Sequence, residues 1–176
     1  MTGLFVFEER LAFSVGANGE QDMDIIRRCH QGTSRVYKTD TQADKSGIDY
    51  IAVLDSGVEV RWDAKRRDKG CSIYWPDGPE LALERWSDKE RRRPGWTWDK
   101  AKQADYILFT FDPEDHPLAY AVPFQHLRTA FFLRARDWCK QYRVAPQQNE
   151  GWVSECVFVP ASVVLDAISD RMVLAI

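Results

Sequence analysis

The chain has 176 residues, 44% of them hydrophobic and 12% aromatic, with a formal net charge of −3. One domain spanning residues 1–176 is expected, long enough for a core that buries roughly two-thirds of the unfolded surface. No apolar run approaches the ~20 residues of a membrane span and no signal-peptide pattern opens the chain, so a soluble, cytoplasmic protein without a membrane partner is expected.

Leu4 to Val15 is a mixed apolar segment that reads either as a strand leading into a turn or as a first helix. Gly16-Ala17-Asn18-Gly19 breaks it. Asn18 followed by Gln21 forms a capping-box pattern for a helix running to about His30 and stopped by Gly32, with Met23, Ile26 and Cys29 as its apolar stripe. Glu20, three residues before Met23, falls in the first turn on the buried side; it is also placed where any acid favours a helix N-terminus, by about 0.3–1 kcal/mol. Arg35 to Thr39 reads as a short strand, and Asp40 to Ser46 as a polar connection.

The clearest strand signal is residues 47–65. Two runs rich in β-branched and aromatic residues flank Asp55-Ser56-Gly57, a three-residue connection whose Gly can take the left-handed conformation that closes such a hairpin. With Leu54 facing Val58, Val53 pairs with Glu59, Ile51 with Arg61 and Asp49 with Asp63. Opposed residues share a face, with Cβ atoms roughly 5 Å apart. One face therefore carries Tyr50, Ala52, Leu54, Val58, Val60, Trp62 and Ala64, while the other ends in Asp49, Asp63 and Lys65. Opposed carboxylates repel unless a cation or a shared proton offsets them. Magnesium commonly takes one or two protein carboxylates and leaves room for water and a substrate phosphate.

Asp49 and Asp63-Ala64-Lys65 resemble the signature of the PD-(D/E)xK, or restriction-endonuclease-like, nuclease superfamily: an Asp followed, across a hairpin turn, by Asp/Glu-x-Lys. Ile48 stands where the name-giving Pro would be, and Asp63 where Glu is commoner. Lys65 is the only lysine of the chain with an acid two residues before it. The resemblance implies an α/β (α+β) fold with a mixed sheet in the order helix, three antiparallel strands, helix, strand. It implies a nuclease that cleaves phosphodiester bonds, in DNA before RNA. Mg²⁺ (or Mn²⁺) would be held by Asp49, Asp63 and the Ala64 carbonyl, Lys65 would serve the attacking water and the phosphorane, and Glu20 would supply the extra helix acid, with Glu8 and Glu9 behind it. A homodimer is one arrangement that would cut both strands. The rival reading keeps the fold and drops the activity: a nuclease-like binding or regulatory protein whose acidic pair is residual.

Residues 66–103 read as a charged, Trp-rich insertion rather than core, with turns at Pro76-Asp77-Gly78-Pro79 and Pro94-Gly95 and a short helix over Glu80 to Arg91. Its Arg66, Arg67, Lys69, Arg91, Arg92, Arg93, Trp96 and Trp98 suit a surface that tracks phosphates and stacks on bases, and equally suit a solvated loop whose tryptophans cap the core. Because the chain is net acidic, nucleic acid can be held only by such local patches.

Ala104 to Phe111 is apolar on both sides and should lie inside the sheet. A turn over 112–117 leads to a strand at Leu118–Val122. Pro123 then starts a helix to about Tyr142 that buries Phe124, Leu127, Phe131 and Trp138 and carries a second basic surface. Trp152 to Val159 is a strand and Pro160 begins a last helix. Cys29, Cys71, Cys139 and Cys156 show no ligand spacing, nor do His30, His116 and His126. Neither a nucleophile elbow nor a Gly-rich phosphate loop is present.

Overall fold

The computed structural model describes residues 18–40, 46–67, 75, 78–111 and 118–172. The opening segment with Glu8 and Glu9, the Asn18 side chain, the 41–45 link, Lys69, Cys71 and the 112–117 turn with His116 lie outside the described residues.

The hairpin folds in the expected register. Tyr50 pairs with Trp62, Ile51 with Arg61, Ala52 with Val60 and Val53 with Glu59, joining β2 (Tyr50–Leu54) to β3 (Glu59–Arg67). Gly57 takes φ +82°, a conformation that glycine adopts without steric cost, and the Leu54 amide donates to the Val58 carbonyl at 2.9 Å. Ahead of it come α1 (Asn18–Cys29) and β1 (Thr33–Lys38), the latter antiparallel to β2. Tyr50, Ala52, Val60 and Trp62 are buried with Val36 and with Ile26 of α1, which covers this face of the sheet. Two members of the expected apolar sets differ: Val58 is 55% exposed because it sits in the loop before the ladder begins, and Cys29 is exposed at the helix end.

β6 (Tyr106–Phe111) runs parallel to β3 and β7 (Leu118–Pro123) antiparallel to β6, giving the order β1-β2-β3-β6-β7. The apolar run thus has a strand on each side, as its composition predicts. A bidentate contact fixes the start of this pairing: Arg61 Nε and Nη2 donate to the two Asp105 oxygens at 3.0 and 2.8 Å, and the Arg61 amide donates to Asp105 Oδ2 at 2.8 Å.

A second sheet, ordered β5-β4-β9-β8, holds β4 (Glu80–Asp88), β5 (Arg93–Pro94), β8 (Val144–Gln148) and β9 (Val153–Pro160). This corrects two expectations. Glu80 to Asp88 is a strand, not a short helix: Leu-Ala-Leu-Glu suits a helix by propensity, and pairing with β9 overrides it while Leu81 and Leu83 become fully buried. The described part of the expected insertion, residues 78–103, is consequently not an appendage to the core, since Leu81, Leu83 and Trp96 lie inside it. The element order shifts accordingly. Between β3 and its parallel neighbour β6 the chain passes through β4 and β5, and the long helix α2 (Phe124–Gln141) comes only after β7.

The class is mixed α/β, with two sheets and three helices among the described residues. α2 buries Phe124, Leu127, Phe131 and Trp138, the four residues expected of it. With α3 (Ala161–Met172) and the second sheet, α2 packs over the face of the first sheet that presents Ile107, Phe109 and Phe111. No helix among the described residues is long and apolar enough to cross a membrane.

Candidate active site

Strand alternation on β3 decides where each charge points. Asp63, Lys65 and Arg67 pair with Ile107, Phe109 and Phe111 and share their face, toward the second sheet; Trp62, Ala64 and Arg66 point toward α1. The charged side of the hairpin is therefore roofed by β4 and β9 rather than left as a solvated rim, and Asp63 is only 2% exposed.

Asp49 lies one residue before β2. Its amide donates to the Trp62 carbonyl at 2.8 Å, although Trp62 is the partner of Tyr50, so the strand leaves the ladder at this point. Leaving the ladder turns the Asp49 carboxylate along the sheet edge. Its Oδ2 accepts the Ala64 amide at 2.7 Å, and Asp63 is near enough for its charge to act on the Asp49 carboxyl. Lys65 Nζ donates to Asp63 Oδ1. The structure thus brings together Asp49, Asp63 and Lys65, as their spacing predicts. The Ala64 amide and carbonyl project to the same side of the strand, so that carbonyl also faces the edge where Asp49 sits.

Burial, and then the charge of Asp63, push the Asp49 carboxyl above the ordinary carboxylate range, against the opposing pull of Lys65 and the Ala64 amide. Burial alone would lower the Lys65 ammonium; Asp63, Asp49 and Glu84 reverse this and hold it above its usual value. Lys65 is therefore a firm cation, suited to donate hydrogen bonds and offset negative charge.

Glu84 on β4 completes the surroundings. Burial raises its pKa, its Oε2 accepts the Trp96 amide at 3.1 Å, and Lys65 and Lys102 act on it from nearby. Lys102 and Asp63 both close on Gly47, where a Cβ would lie 2.7 Å from Lys102 Cδ and 3.5 Å from Asp63 Oδ2. Trp96 supplies a wall, with Lys65 Nζ 5.6 Å from its ring centroid.

The expected helix acid is corrected. Glu20 is exposed, and the acid that α1 turns inward is Asp22, 5% exposed and electrostatically coupled to Asp49. Asp22 lies four residues before Ile26, which puts it on the buried stripe; counting by threes from Met23 pointed to Glu20 instead. Asp22 accepts from Arg66 Nη2 at 3.1 Å and from the Tyr50 hydroxyl at 3.4 Å. Arg66, expected at a nucleic-acid surface, is thus a buried partner of α1, its side chain 12% exposed. Glu84 escaped detection because its stretch reads as a helix in an insertion.

The remaining basic and aromatic candidates separate. Arg91, Arg92 and Arg93 are exposed around the β4–β5 turn, with Arg91 bonded to Asp88 at 2.8 Å. Trp96 packs 6.2 Å from Phe109 and 6.0 Å from Phe124, and Trp98 packs 5.2 Å from Phe131, ring centroid to ring centroid; the tryptophans cap the core. Arg67 stays beside the site, its guanidinium 4.8 Å over the Phe158 ring.

Among the described residues no three His, Cys, Asp or Glu side chains are gathered into a ready-made metal centre. Two neighbouring carboxylates, one of them driven toward its protonated form by burial and then by the charge of the other, nonetheless suit a hard divalent cation that would replace the proton. No protein-family model, curated protein or solved structure matches the chain significantly. The chemistry rests on these residues themselves.

Proposed function

We propose that this protein is a metal-dependent nuclease of the restriction-endonuclease-like kind, hydrolysing phosphodiester bonds in nucleic acid, with DNA the first substrate to test. The supporting observation is the convergence of Asp49, Asp63 and Lys65 at one edge of the sheet, with the Lys65 ammonium bonded to Asp63, the Asp49 carboxylate bonded to the Ala64 amide beside it, and the two acids close enough to act on each other's charge. Asp49, Asp63 and the Ala64 carbonyl would hold Mg²⁺ or Mn²⁺. When bound, the ion would supply Lewis acidity toward the phosphoryl oxygen and lower the pKa of a coordinated water.

The residues do the rest. Asp49 keeps one oxygen on the Ala64 amide, which fixes the carboxylate plane against β3. Lys65 stays protonated, so it orients the water and offsets charge on the phosphorane rather than accepting a proton. Glu84, on the far side of Lys65, helps keep that charge in place. The test is cleavage of plasmid and oligonucleotide DNA with Mg²⁺ or Mn²⁺. Asp63→Ala and Lys65→Ala should each lower the rate by about 10²-fold or more, and equal rates in all three proteins would sink the assignment.

One observation favours the second reading, a nuclease-like binding protein without activity. Lys65 already neutralises Asp63, and no third carboxylate joins the pair among the described residues. Calorimetric titration separates the two readings, since a binding module would hold nucleic acid or protein without taking up a divalent ion at Asp49 and Asp63.

A further inference from the structure

Behind Lys65 the two sheets part to form a cleft of about 410 Å³, whose lining includes Lys65, Arg67, Glu84, Trp96, Gln147 and Phe158. This volume falls within the range of small-molecule sites, with room for about one nucleotide. Two of its cations lie over rings, Lys65 over Trp96 and Arg67 over Phe158, and Lys65 is also bonded to Asp63. A guanidinium held in place over a ring, beside an ammonium, is an arrangement suited to a phosphate.

The dimensions of the cleft limit what can arrive. Asp63 is 2% exposed, and Lys65, its side chain 34% exposed, faces the gap between the first sheet and β4 and β9. An intact duplex presents both strands on a stiff rod and cannot enter a space of this size, whereas one nucleotide of a flexible strand can. We infer that the cleft receives a single unpaired nucleotide, its phosphate against Lys65 and Arg67, so that the preferred ligand is a single strand or frayed end rather than continuous duplex. This inference rests on the nuclease reading for its substrate class, and its test is made by binding so that the two can fail separately.

Fluorescence anisotropy in EDTA would compare a labelled dT12 strand with a labelled blunt 20-base-pair duplex. The wild type should bind the strand at least tenfold more tightly. Arg67→Ala should lose about tenfold on the strand and flatten the salt dependence of log K by about 0.7, and Arg67→Lys should restore part of both. If Arg67→Ala does not fold, Gln147→Glu, which adds an anion to the cleft lining, should produce the same tenfold loss. Duplex bound as tightly as the strand, or strand binding unmoved by Arg67→Ala or Gln147→Glu, would overturn the inference. With Mg²⁺ added, strand binding without cleavage would sink the nuclease reading alone. Cleavage of closed relaxed plasmid as fast as dT12 would sink this inference and leave the nuclease reading standing.

Discussion

Asp49→Asn probes the acid pair at its most sensitive point. In the wild type, burial and Asp63 raise the Asp49 pKa. Between the unfolded and folded pKa values only the folded state keeps the proton, so stability falls as pH rises through that window. Each pH unit of the window removes about 1.4 kcal/mol. An amide has nearly the shape of the carboxyl, its oxygen can keep the 2.7 Å bond from the Ala64 amide, and its NH₂ can donate to Asp63. The substitution thus removes repulsion without removing a hydrogen bond. The variant should be more stable than wild type at pH 7.5 by about 1.4 kcal/mol for each pH unit between the unfolded and folded pKa values, with about 2–4 °C in Tm per kcal/mol for a chain of this size. The gain should shrink as pH falls toward the unfolded value of 3.8, below which Asp49 is protonated in both states. Thermal melts by circular dichroism in EDTA, from pH 4.5 to 8, measure this. Mg²⁺ at ten times its Kd should then stabilise the wild type by about 1.4 kcal/mol and leave the variant unmoved. A variant less stable than wild type at pH 7.5, or one whose advantage does not grow with pH, would refute the reading of the pair as an electrostatically strained site.

Arg66→Ala leaves Asp22 buried without its cation and should cost about 3–5 kcal/mol at pH 7 in urea unfolding. The cost should shrink as pH falls, because burial raises the Asp22 pKa and favours its neutral form, and Arg66→Ala/Asp22→Asn should recover most of it. Gly95→Ala places a Cβ 2.2 Å from the Glu84 carbonyl oxygen, a backbone atom that cannot step aside; a loss of about 1–3 kcal/mol is expected from denaturant melts. Phe131→Ala empties a fully buried site between α2 and Trp98 and should cost about 3–5 kcal/mol by the same measurement.

The hairpin and its neighbours were legible because their causes are local. The period-2 alternation from Tyr50 to Ala64 and the glycine at position 57 set the register, which put Asp63 and Lys65 on one face; the expected Asp49–Asp63 pairing gives way at the ladder's end, where Asp49 leaves the strand and turns its carboxylate onto the Ala64 amide. The stripe of α2 was legible for the same reason: 18 residues at helical period leave little choice of buried face. Residues 80–88 were not, because Leu-Ala-Leu-Glu-Arg satisfies a helix and a strand about equally, and only the edge of β9 decided between them. Glu20 was mistaken for Asp22 because two acids two residues apart at a helix start differ only in which one meets the sheet.

The sequence by itself determined which acids and which lysine could meet, since strand pairing is written in alternation and turn chemistry. What surrounds them was decided by tertiary structure. The second sheet joins β4 to β9, far apart in the chain, and it made the charged side of the hairpin the wall of a cleft. It brought Glu84 and Trp96 to Lys65, left Arg67 beside them, and sent Arg66 to α1. The physical reason is that burial of Leu81, Leu83, Val157 and Val159 against β6 drives the two sheets together. The surroundings that set the pKa values of Asp49, Lys65 and Glu84 follow from that collapse, which no stretch of the chain records alone.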